Sequence, residues 1–274
     1  MYTTHPMQWI RNAKKLPAIP KIGNQGWIEY HRHFLSNRVN HPRDVIVWLP
    51  PSYYKNKRKR YPVLYMHDGQ NLMDPNTAFL GVDWQIDRTA AEFIHRKKIK
   101  EIIIVGIYNT PDREQEYTGS IAGRRYADFV VHELKPLIDE TYRTKSDAPN
   151  TGVMGSSLGG LISFLFAWWH PHVFGNAGCI SNSFFWNDYS VMKEVSEYNG
   201  PKKPIRFYLD VGGKEVFLRT GYEQMVQLLI QKGYRKGIDF QHYLAKTGSH
   251  DEKSWGRRVW RPLTFLFPYS LQSK

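Results

Sequence analysis

Gly155-Ser156-Ser157-Leu158-Gly159 fits the pattern G-x-S-x-G, and that pattern works by geometry. A strand turns so sharply into a helix that the central residue is left strained, with its hydroxyl exposed at the end of a sheet. Glycines two residues before and two after let the backbone fold that tightly. In this register Ser157 is the nucleophile, Ser156 is only its neighbour, and Gly160 adds room for close helix packing. The flanks supply the context: "TGVM" reads as strand and "LISFLFAWW" as helix. A purely structural glycine-rich turn is the competing reading of the same residues.

A serine hydroxyl is a weak nucleophile at neutral pH. It needs a base within hydrogen-bond reach, and that base needs a third group to orient it. Around such an elbow the acid comes next in the chain and the histidine last. Four histidines follow Ser157. His170 and His172 flank a proline at the far end of the nucleophile's own helix, and His242 lies within a strand-like run. His250, in "KTGSHDEKSW", falls on a glycine-containing loop after the last strand, where the base is needed. For the acid, "RFYLDVGGKEVF" offers two residues. Glu215 follows the Gly-Gly turn at the strand's carboxyl end and is the favoured partner of His250. Asp210 sits inside the apolar run and is the alternative. Asp251 is too local to orient its neighbour's ring.

The tetrahedral intermediate of acyl transfer also needs donors for its oxyanion. One is the N–H of Leu158, just after the nucleophile, and the other belongs on the loop after an early strand. "VLYMHDGQNL" has that form, so the N–H of Gly69 or Gln70 is the expected second donor. His67 is read as structural, shaping this loop by hydrogen bonds. No H-x-x-x-H or H-E-x-x-H spacing is present, so no metal is expected.

The elements that must position these groups alternate. "WIEYHRHFLS", "RDVIVWLP", "PVLYMHDG", "EIIIVGIYN", "NTGVMGSS", "FGNAGCIS", "PIRFYLDVGG" and "DFQHYLAKTGSH" read as strands. "DWQIDRTAAEFIHRKK", "RRYADFVVHELKPLIDETY", "LGGLISFLFAWWH" and "RTGYEQMVQLLIQKG" read as helices, followed by a last helix, "SWGRRVWRPLTFLF", interrupted by Pro262. This alternation predicts one α/β domain over 27–274, with a mostly parallel sheet and reactive groups beyond the strands' carboxyl ends. Residues 1–26, rich in Pro and Gly, read as an irregular lead-in.

Composition narrows the class. The 274 residues suffice for one large domain. The single cysteine, Cys179, excludes an internal disulfide framework and a cysteine-based zinc site. The N-terminus has no apolar run after its charges, and the longest apolar stretch is too short to span a bilayer. The expectation is a soluble, cytoplasmic protein with no membrane partner. Formal net charge is +13, which bears on solubility and on attraction of anionic ligands. The densest basic run, "KNKRKR" at 55–60, lies between two strand-like segments and reads as a solvated loop. No nucleic-acid signature accompanies it.

The order and spacing of "YPVLYMHDGQNL", "GVDWQID", "EIIIVGIYN", "DREQEY", "YADFVVHELKPLIDETYRT", "GSSLGGLIS", "YLDVGGKE" and "GSHDEKSW" resemble the esterase family of α/β hydrolases over roughly 27–268. That family includes enterochelin (ferric-siderophore) esterases, S-formylglutathione hydrolases, feruloyl and acetyl xylan esterases, and mycolyltransferases. The resemblance implies an α/β-hydrolase fold with helices on both faces of the sheet, and a cofactor-independent serine esterase. It assigns Ser157 as nucleophile, His250 as base and Glu215 as acid. Many members carry Asp at that last position. "HDG" at 67–69 matches the enterochelin-esterase-like branch.

Beside these, Arg113 in "DREQEY" is a candidate for binding a substrate carboxylate or phenolate, against pairing with Glu114 or Glu116. Trp84, Phe185 and Trp186 are candidates for an apolar acyl or aryl pocket. The expected partner is a small-molecule ester, with an aromatic or acidic group compatible with this composition. Acyl transfer to an alcohol, and a basic binding protein with a vestigial triad, are the competing functions. The substrate and the oligomeric state are not readable from the sequence.

Overall fold

The computed structural model describes residues 14–16 and 23–269. Nine strands form one sheet: β1 (Lys14–Lys15), β2 (Trp27–Phe34), β3 (Arg43–Leu49), β4 (Val63–His67), β5 (Ile103–Ile107), β6 (Thr151–Ser156), β7 (Asn176–Ile180), β8 (Arg206–Gly212) and β9 (Phe240–Ala245). Their spatial order is β1-β2-β3-β5-β4-β6-β7-β8-β9. The β1–β2, β2–β3 and β3–β5 pairs are antiparallel, and every later pair is parallel. Most of the expected lead-in, residues 1–13 and 17–22, lies outside the described residues. Within it Lys14 and Lys15 form a short edge strand against Ile28 and Trp27.

Among the described residues the α-helices are α1 (Ile86–His95), α2 (Arg113–Glu116), α3 (Ile121–Phe129), α4 (Lys135–Thr141), α5 (Leu158–Trp169), α6 (Trp186–Glu197) and α7 (Val216–Gln231) between strands, and α8 (Glu252–Arg258) and α9 (Trp260–Leu266) after the last one. Successive strand residues point to opposite faces, and both faces are covered. Val63 and Tyr65 of β4, like Val45 and Val47 of β3, pack into one core with α3, α5, α6 and α7. Leu64, Met66, Ile46 and Trp48 pack into the other with α1, α8 and α9. That double burial explains the nearly continuous apolar runs of β4 and β5.

Two prolines shape helices in ways that local pattern does not show. The run expected as one helix over 124–142 starts at Ile121, where the Ser120 hydroxyl caps the Gly123 N–H at 3.0 Å. It widens to π geometry at Val130–Leu134, just before Pro136. The last helix breaks at Val259, not at Pro262. The break leaves Pro262 in the first turn of α9, where a missing N–H costs nothing.

The chain runs from β4 in one direction to β5, which lies between β3 and β4, and later returns to place β6 on β4's other side. A crevice opens where the strand order reverses, beyond the carboxyl ends. Several basic runs lie at the opposite end. Lys55–Arg60, Lys97–Lys100, Arg143–Lys145, Lys202–Lys203 and Arg235–Lys236 lie in connections that feed the amino ends of β4, β5, β6, β8 and β9.

Candidate active site

β6 ends at Ser156 and α5 begins at Leu158, so the turn between them is the single residue Ser157. Its backbone is strained, with φ 58° and ψ −124°. The loop after β7 braces it. Ser157 N–H donates to Ile180 O at 3.0 Å, and Ser183 N–H donates to Ser157 O at 3.1 Å. Ser156 is buried in the strand, whereas Ser157 is partly exposed. The glycines are not equivalent. A Cβ on Gly155 would meet the Gly159 backbone at 2.7 Å, and one on Gly160 would meet Ile180 O at 3.0 Å. A Cβ on Gly159 would make only ordinary contacts, the nearest being Asp68 Oδ2 at 3.4 Å.

His250 sits on the loop between β9 and α8. Its Nε2 lies 3.0 Å from Ser157 Oγ, and its Nδ1 lies 2.8 Å from Glu215 Oε1. Glu215 is 1% exposed at the entry to α7. Burial pushes its carboxyl up, but hydrogen bonds from His250, Ser181 and the Gly212 N–H outweigh this and hold it below the usual carboxylate value. An ionised carboxylate can only accept, so Nδ1 carries a proton and Nε2 is free to accept the Ser157 proton. Ser157 Oγ also lies 3.3 Å from Ser183 Oγ.

Asp210 does not reach His250. Fully buried, it accepts from Arg258 Nε at 3.0 Å, Arg258 Nη2 at 3.2 Å and the Ser181 N–H at 3.0 Å. Burial raises its carboxyl from the usual value, against the pull of Arg258.

Leu158 opens α5 and Gly69 and Gln70 open the short turn after β4, so none of these N–H groups has an acceptor within its own helical turn. The two segments lie close together: a Cβ on Gly159 would come within 3.4 Å of Asp68 Oδ2 and 3.5 Å of His67 Cβ. The β4 loop is pressed on β5: a Cβ on Gly69 would lie 2.6 Å from the Gly106 backbone. His67 is buried among Tyr117, Tyr126 and Phe166, with Nδ1 2.9 Å from the Tyr126 hydroxyl and Nε2 without a partner. Burial lowers its pKa to about 3, so the ring is neutral. Among the described residues no cluster of His, Cys, Asp or Glu could hold a metal ion. None of their helices is long and apolar enough to cross a membrane.

Arg113, on α2, turns to Asp68 rather than to Glu114 or Glu116, with two hydrogen bonds of 2.7 and 2.8 Å. Glu116 is taken by the buried Arg43 at 2.7 Å. Trp84 is 4% exposed and packs against Trp255, 5.9 Å between centroids. It is one ring removed from His250, which Trp255 meets edge-on at 5.0 Å. Trp84 borders a cavity of about 400 Å³ with Val82, Gln85, Thr89 and Lys253, separate from the one that Trp186 lines. Trp186 and Phe185 line a cavity of about 600 Å³ with Thr118, Gly119 and Ser120. Phe217 continues this aromatic rim. It is 61% exposed, 6.3 Å from Phe185 and 5.6 Å from His250. The sequence reading missed Phe217, though it stands only two residues after Glu215.

Residues 36–268 match the family described as "Putative esterase". The chain is 26% identical over 188 residues to the uncharacterized protein YbbA of Bacillus subtilis, covering 63% of this chain and 69% of that protein. It is also 26% identical over 238 residues to an endo-1,4-beta-xylanase/feruloyl esterase of Xylanibacter ruminicola, covering 85% of this chain but 30% of that one. The crystal structure of an enterobactin esterase from Shigella flexneri, with 2,3-dihydroxy-N-benzoyl-serine present, superposes with a TM-score of 0.73. Identity there is 18%, and the match covers 93% of this chain and 61% of that one. These likenesses bear out the α/β-hydrolase fold expected from the sequence.

Proposed function

The chain belongs to the esterase family, and we propose that it is a serine carboxylic-ester hydrolase acting through an acyl-enzyme. One observation carries the reading: His250 stands within hydrogen-bond reach of both Ser157 and Glu215, at 3.0 and 2.8 Å.

Ser157 Oγ attacks the ester carbonyl while His250 Nε2 takes its proton. The negative charge that develops on the carbonyl oxygen is met by N–H groups of Leu158 and of Gly69 or Gln70. His250 then gives its proton to the leaving alcohol, and water, activated by the same ring, cleaves the acyl-enzyme. Glu215 keeps the proton on Nδ1 and stabilises the imidazolium formed in each half-reaction. The aromatic rim of Phe185, Trp186 and Phe217 favours an ester with an aromatic or apolar group. The names of the Xylanibacter and Shigella relatives, a feruloyl esterase and an enterobactin esterase, point the same way.

Hydrolysis of p-nitrophenyl acetate by wild type, Ser157→Ala and Ser156→Ala tests the assignment. Ser157→Ala should lower kcat by at least about 10³-fold, and Ser156→Ala should keep most of it. Equal rates for wild type and Ser157→Ala overturn the proposal, and equal losses in the two variants overturn the register.

A further inference from the structure

Ser181 follows β7, is fully buried, and adopts a left-handed backbone, φ 43°. A glycine would take that conformation without strain, yet this position carries a hydroxyl. That hydroxyl has one proton to give and lone pairs to receive. Trp255 Nε1 at 3.0 Å and Arg258 Nη2 at 2.5 Å can only donate to it. Its own proton therefore goes to Glu215 Oε2, 2.7 Å away. Both donors come from α8, which begins two residues after His250.

The consequence falls on Glu215. Its Oε2 is occupied by Ser181 and by the Gly212 N–H, which leaves Oε1 for His250. Arg258 is in turn held by two hydrogen bonds to the buried Asp210. We propose that Ser181 is a positioning residue that fixes the Glu215 carboxylate for His250, and that Asp210 acts through Arg258 to hold Ser181 in place. The same loop reaches the other end of the site through Ser183, whose N–H braces the Ser157 carbonyl. One three-residue loop, Ser181-Asn182-Ser183, thus grips both the acid and the nucleophile.

This inference rests on the serine-hydrolase reading, and its test separates the two. Ser181→Gly removes the hydroxyl and relieves the backbone; Ser181→Ala removes it and keeps the strain. Both should lower kcat on p-nitrophenyl acetate by about 10- to 100-fold, with KM within about twofold. Both should also move the acid limb of the kcat/KM pH profile upward, because a Glu215 carboxylate that has lost a hydrogen bond is a stronger acceptor for the His250 imidazolium, whose deprotonation that limb follows. Labelling of Ser157 by a fluorophosphonate probe, and its pH dependence, should follow the same pattern.

A wild-type kcat and pH profile in Ser181→Gly overturn the inference. So does a loss confined to Ser181→Ala, which would assign the effect to the backbone. A loss of thermal stability with an unmoved acid limb makes Ser181 merely structural and overturns it too. Failure of the wild type to label overturns the hydrolase reading itself.

Discussion

Arg113 and Asp68 meet across 45 residues of chain, with Nε on Oδ1 at 2.7 Å and Nη2 on Oδ2 at 2.8 Å. Asp68 is the left-handed residue, φ 56°, that aims Gly69 and Gln70. It also accepts from Asn109 Nδ2 at 2.6 Å. The guanidinium therefore sets the loop proposed to receive the oxyanion. Arg113→Ala should lower kcat about tenfold with little change in KM, and cost about 1–3 kcal/mol of stability. Arg113→Lys should recover little, since an ammonium cannot reproduce the fork. A rise in KM with kcat intact would instead make Arg113 a substrate-binding group.

Gly155 and Gly159 stand symmetrically about Ser157 in the sequence but not in space. Gly155→Ala should destabilise by about 1–3 kcal/mol and abolish most activity, because its Cβ has only backbone to displace. Gly159→Ala, in the first turn of α5, should be neutral or stabilising by up to about 1 kcal/mol. Thermal unfolding and ester hydrolysis of the two variants give the comparison, and equal damage would contradict it.

Asp210 inside β8 and Glu215 after it should differ in what their loss does first. Glu215→Gln should keep the fold and lower kcat by about 10⁴-fold, because the amide no longer enforces the proton on His250 Nδ1. Asp210→Asn strands the buried Arg258 and should cost about 3–5 kcal/mol of stability. Urea unfolding and kcat, measured on both variants, sort the roles. Undiminished kcat in Glu215→Gln would remove Glu215 as the acid.

His67 makes stability depend on acid. Its folded pKa of about 3 lies below the ordinary 6.5, so between these values the unfolded chain binds more protons. Stability is full above pH 6.5 and falls as pH drops towards 3. By pH 5 the loss from this group is about 2 kcal/mol. Urea midpoints at pH 7 and 5 should show that decrement in wild type and lack it in His67→Phe. Parallel decrements would remove His67 as its source.

Legibility in the sequence followed the range of the interaction. Ser157, Glu215 and His250 each follow a strand within a few residues, so strand order and local glycines located them. The same local logic placed Leu158, Gly69 and Gln70 at helical-turn entries. Arg113 and Trp84 were visible as residues, but their partners were not. Asp68 and Trp255 reach them only through the sheet order and the packing of α8. Ser181 offered no signal at all, because one serine in "ISNS" gains its meaning from Trp255, Arg258 and Glu215 arriving together. The break at Val259 was similarly hidden: the proline was evident, while the turn that accommodates it was set three residues earlier.

The lysine-rich connections give the molecule a polarity that its net charge conceals. They stand at the amino ends of the strands, and the proposed catalytic groups at the carboxyl ends. The strands they feed run five to seven residues, about 16–23 Å, or two to three times the screening distance of roughly 8 Å at physiological salt, so these runs exert little pull at the mouth. These cationic runs face away from the candidate site, and Lys214, Lys246 and Lys253, at the exits of β8 and β9, are the basic residues nearer to it in the chain. An anionic ester must then find the site by local contact rather than by long-range steering.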